Sequence, residues 1–90
     1  MHVQPVDPRD TGWEVSRPHY RVHFWRPFDG PPDAGWASEE WQVEDADVQE
    51  VLAWANSDEM HRIYTLYVCC TCDGVPGLIR LHGGDPTART

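Results

Sequence analysis

The stretch from Arg62 to Cys70, RIYTLYVCC, most tightly constrains how this chain can fold. It is rich in β-branched and aromatic residues, and alternate positions are apolar on both sides. Ile63, Thr65, Tyr67 and Cys69 share one side; Tyr64, Leu66, Val68 and Cys70 share the other. A strand of that kind belongs in the middle of a sheet, with cover on its faces, and not at a wet edge. The rest of the chain must supply strand neighbours and material above and below.

Two neighbours precede it. In HYRVHFWRP, Tyr20, Val22 and Phe24 alternate with Arg21, His23 and Trp25 until Pro27, which predicts a first strand with a period of two. FDGPPDAG, Phe28 to Gly35, contains two prolines and two glycines and predicts a loop. In WASEEWQVED a second strand is expected, with Trp41 and Val43 on the core side and Glu40, Gln42 and Glu44 on the other. After the central strand, DGVPG predicts a turn, and LIRLH (Leu78 to His82) its antiparallel return.

Between the second and third strands lies one helix. Val48, Val51, Leu52 and Ala55 recur at i, i+3, i+4 and i+7 and gather into one apolar stripe. Asp47 is placed to cap its first turn, with Glu50 three residues on as a capping box requires. Ala46 and Val51 can staple that end, and Asn56 and Ser57 mark the stop.

The order is β-β-α-β-β. The economical arrangement is α+β: a four-stranded antiparallel sheet with one helix packed on one face. Residues 1–90 make one domain, with 1–18 as an extended arm and 83–90 as a flexible tail that has nothing to bury. Trp13 to Val15 is the only part of the arm with the character of an edge strand. A single short helix covers part of one sheet face, so the other face needs the arm or a second copy. The arm offers few large side chains, and a homodimer formed sheet to sheet is expected.

Charge is concentrated in the middle of the chain. The net charge is −8, from fifteen acids and seven basic residues, all of them arginines. Ten of the acids fall between Pro27 and His61, a segment without Arg or Lys. A field of that sign repels nucleic-acid phosphates and favours a basic protein partner. No apolar run approaches the ~20 residues of a membrane helix, and the N-terminal MHVQPVDPRD has no signal-peptide character. A cytoplasmic location with reduced thiols is therefore expected.

The cysteines invite a chemical reading. Cys69, Cys70 and Cys72 lie within four positions. Cys70 and Cys72 share one strand face, and His82 lies at the far end of the same hairpin. Those three residues are the candidate metal or thiol site, although a structural zinc wants four ligands, usually in spaced pairs. The plainer reading makes them small strand hydrophobes. No nucleophile elbow, zincin motif or phosphate-cradling glycine loop is present, so no cofactor and no catalytic set is indicated.

The remaining reading is an interaction module. Trp36 and Trp54 are candidate anchors, with Glu39, Glu40, Glu44, Asp45, Asp47 and Glu50 as steering and rim charges on the strand-two and helix surface. Small acidic proteins that cap a basic active site, such as immunity proteins and antitoxins, use this arrangement. The stretches YRVHFWRP, SEEWQVEDADVQEVLAWA and YTLYVCC to GLIRLHGGDPTA resemble small single-domain proteins of GC-rich actinobacteria. That resemblance implies an origin and carries no activity, fold or site residue.

Overall fold

The computed structural model describes residues 1–28 and 35–87. Its strands are β1 (Tyr20–Pro27), β2 (Trp36–Val43), β3 (Ile63–Cys72) and β4 (Val75–His82), with helix α1 (Val48–Asn56) between β2 and β3. The four strands form one antiparallel sheet in the order β2-β1-β3-β4. The expected α+β architecture and its β-β-α-β-β order are both present. Except for its end residues, the expected Phe28–Gly35 loop lies outside the described residues. At those ends the Phe28 N–H donates to the Gly35 carbonyl at 3.0 Å, closing the β1–β2 pair.

The helix forms where its caps demand. The Asp47 carboxylate accepts from the Glu50 N–H at 2.9 Å, while Glu50 accepts from the Asp47 N–H at 3.1 Å. Two otherwise orphaned donors are thereby satisfied. At the other end the Ser57 N–H and hydroxyl both reach back to the last turn. Val51 and Ala55 are buried against Tyr20, Val22, Phe24 and Leu66, with Leu52, Val43 and Ala46 packed around them. Val48, the first residue of the stripe, stays exposed at the helix entrance.

Register explains which side chains meet. Val22 sits opposite Trp41 on β2 and opposite Leu66 on β3, so these three share the helix face. Trp41 nevertheless remains 47% exposed and is not the core residue its alternation predicts. It lies on the edge strand, and nine helical residues span only ~14 Å, so cover centred on β1 thins out there. The buried tryptophan is instead Trp25, on the opposite face. Its indole N–H donates to the Thr65 hydroxyl at 3.0 Å, and that hydroxyl donates to the Gly84 carbonyl at 2.6 Å. Thr65 is 0% exposed. Residues 83–87 thus begin by lying against β3, and a Cβ at Gly83 (φ +81°) would collide with the Tyr64 carbonyl.

The β3–β4 hairpin is longer than its sequence cues imply. Only Asp73 and Gly74 turn, both with positive φ (51° and 77°), as a two-residue hairpin requires. Val75, Pro76 and Gly77, expected within the turn, are strand residues of β4, where an edge position tolerates proline. A bulge follows, because the register shifts between Leu66 and Tyr67 and leaves Leu81 as the extra residue. Trp13–Val15 form no strand.

One consequence of register matters for function. β1 pairs with β3 from Ile63 to Val68, and the Cys69 N–H adds one bond to the His19 carbonyl at 2.8 Å. Beyond that point, among the described residues, Cys70–Cys72 pair with Val75–Gly77 alone. The hairpin therefore continues past the sheet as a two-stranded ribbon.

Candidate functional site

The acidic surface is built from the β2 edge, the turn after it and the first turn of α1. Strand alternation divides its residues between two faces. Glu39 lies opposite Phe24 and faces the helix side, while Trp36 and Glu40, opposite Pro27 and His23, face the other way. Trp36 and Trp54, expected to anchor one surface, are thus on opposite sides of the sheet. What the helix side brings together is Trp54 and Trp41, whose rings meet edge to face at 6.0 Å. Trp54 also leans on Phe24 at 5.6 Å, and Glu50 sits one turn before it on the helix. Trp54 is 41% exposed. Its exposed partner Trp41 was missed as a site residue because strand alternation alone reads it as core.

Many of the acids already have partners from the flanking segments. The Arg62 guanidinium donates to Asp58 (Nε to Oδ2, 3.1 Å) and to Glu39 (NH1 to Oε2, 3.1 Å), and sits 4.6 Å above the Phe24 ring. Glu39 accepts a further bond from the Trp41 indole N–H at 2.7 Å. Hydrogen bonds from Arg62 first, then from Trp41, hold the Glu39 carboxyl below its ordinary value; Arg62 does the same for Asp58 and is itself raised by Asp58. Arg17 donates to Asp45 at 2.9 Å. His19 lies 3.7 Å from Glu44, and His23 3.3 Å from Glu40 without hydrogen-bond alignment. Asp47 and Glu50 are engaged in the capping box.

These contacts change what the acidic segment can do. Exposed ion pairs contribute little stability, yet each one dilutes the negative field that the linear sequence displays. The expected acidic surface is in space a mixed one, with arginines interleaved. Its distinctive feature is the half-exposed tryptophan pair, bordered by Glu39 and Glu50.

The sulfur cluster does not converge. Cys70 and Cys72 share the helix-side face of the ribbon, but His82 pairs with Leu66 and stacks on Tyr64 at 5.5 Å. Leu66 and Cys70 are four positions apart, or ~13 Å along the strand. Among the described residues no group of three or more His, Cys, Asp or Glu side chains is placed to hold a metal ion. All three cysteines are free thiols.

A depression lies elsewhere, between the arm and the ribbon. It encloses about 1010 Å³, walled by Trp13, Val15 and His19 on one side and by Cys69, Leu78 and Ile79 on the other. No helix among the described residues is long and apolar enough to cross a membrane. No family model, curated protein or solved structure matches the chain.

Proposed function

We propose that this chain is a non-enzymatic protein-interaction module that binds a basic protein partner through its β2–α1 surface, in a cytoplasmic setting. The observation that carries the reading is the Trp41–Trp54 pair, held edge to face at 6.0 Å with both rings half exposed. Large aromatics at the centre of a polar-rimmed patch are what interface hot spots are made of. Glu39, Glu50 and Asp47 border it on the helix side and supply the charge that a basic partner would meet. Glu44 and Asp45 extend that edge toward the arm. Trp36 and Glu40, on the far face, fall outside this surface and leave the proposed contact set.

The division between faces makes the test internal to the molecule. In capture from a native lysate at graded salt, Trp41→Ala with Trp54→Ala should cut recovery of the bound protein about tenfold or more. Trp36→Ala should leave recovery unchanged, and rising salt should weaken capture by the parent chain. Retained capture by the folded double variant, or equal loss with Trp36→Ala, contradicts the assignment.

A further inference from the structure

The ribbon of Cys70–Cys72 and Val75–Gly77 lacks a third strand, and two strands alone are marginal in water. We infer that the ribbon is completed by a second copy of this chain, packed side chain to side chain against it and into the groove beside the arm. This surface meets the β2–α1 face only where Arg17 and His19 reach Asp45 and Glu44, and the inference does not depend on that face.

Surface area leaves room for a second copy. The chain exposes 7536 Å², whereas a compact monomer of its mass, 10.3 kDa, exposes roughly 5,400 Å². The excess, roughly 2,100 Å², is well above the ~800 Å² per partner that a standard interface buries. The arm carries part of that surface, through Val3, Val6, Trp13 and Val15; on the hairpin Val75 is 65% exposed and Ile79 53%, with Leu78 and Leu81 also exposed. Leu78 and Ile79 point to opposite sides of the strand, so a flat contact on one sheet face would cover only one of them. Pro76 removes a donor from the outer edge of β4, which favours side-chain packing over strand addition.

Charge selects the same place. Two chains of net charge −8 repel each other, so contact is least costly where acids are fewest. From Cys69 to Ile79 the single charged residue is Asp73, at the ribbon tip. The arm-side wall of the groove carries Arg17, already paired with Asp45, and Arg21, whose charge is opposite to that tip. By contrast, the middle of the second sheet face is already closed by Trp25, Thr65 and Gly84. Association over the whole face, expected from the sequence, gives way here to association at the ribbon.

The test uses the full chain and its own thiols. Light scattering over a wide dilution range should give twice 10.3 kDa, falling toward 10.3 kDa on dilution. Leu78→Asp with Ile79→Asp should raise the dimer dissociation constant about tenfold or more. Diamide, which takes two electrons from two thiols to form a disulfide, should link two chains through Cys70 or Cys72, and Cys70→Ser with Cys72→Ser should abolish the link. That second arm stands even if the aspartate variant fails to fold. A mass of 10.3 kDa at every concentration overturns the inference, and points instead to the arm or another molecule as occupant. A dimer that neither crosslinks through these cysteines nor responds to the variants also overturns it.

Discussion

From Leu66 to Val68, β3 runs between β1 and β4, and Leu66, packed in the core under the helix, is 1% exposed. At its Cys72 end the same strand has one neighbour and no helix above it. The apolar alternation is equally strong in both halves, so pattern alone does not decide burial. Relative strand length does. β1 has eight residues and β3 ten, and the Tyr20–Val68 pairing sets where the shorter one stops. One stretch is a finished core, and the other leaves its neighbours Val75, Leu78 and Ile79 exposed.

The comparison can be broken most sharply by shaving one leucine at each end. Leu66→Ala should cost about 2–5 kcal/mol, because a cavity opens beneath a rigid helix. Leu78→Ala, measured where the chain is dilute, should cost less than about 1 kcal/mol, as exposed substitutions do. Thermal or urea unfolding of both variants decides; equal costs would mean that the ribbon is packed as tightly as the core.

A smaller effect tests how the second face is closed. Thr65→Val keeps the shape but leaves the Trp25 indole N–H and the Gly84 carbonyl without their shared hydroxyl. A loss of about 1–3 kcal/mol is expected, together with faster proteolysis after residue 83. An unchanged unfolding midpoint would show that this relay contributes nothing.

Acid provides the gentlest probe of the helix end. Asp58 and Glu39 have carboxyls lowered by Arg62, so their contribution is complete above the ordinary values and fades as pH falls through the lowered ones. Denaturant midpoints should therefore decline on the acid side, and Asp58→Asn should flatten that decline while modestly lowering stability at neutral pH. The ribbon, whose pairing segments carry no charge, should show no matching dependence when followed by a local probe. A pH profile identical in Asp58→Asn and the parent chain would remove Arg62 from the account.

How much of this was legible beforehand follows from the kind of signal each residue carries. The capping box at Asp47 and Glu50, the Val51–Ala55 stripe and the Tyr20–Phe24 alternation are local patterns, and each formed as its spacing dictates. The exposure of Trp41 was not legible, because it depends on where a short helix comes to rest across an edge strand. The split of Trp36 from Trp54 follows from alternation that was in view, once Val22 fixes which side of β2 the helix covers. Arg17 and Arg62 lie far along the chain from their acids, so a segment-by-segment charge count could not show Asp45 and Glu39 already paired. The short turn at Asp73–Gly74 carried its own hairpin signal, masked by the proline and glycine that follow.

Amide hydrogen exchange at several protein concentrations tests the contrast between the two ends most directly. Val22 and Leu66 amides, inside the finished core, should be strongly protected and indifferent to concentration. Amides of Cys70–Cys72 and Val75–Gly77 (Pro76, which has none, excepted) should exchange fast when the chain is dilute and slow as concentration rises and the second copy packs on. Ribbon protection that is already core-like at high dilution, or fast exchange that no concentration slows, would contradict the account.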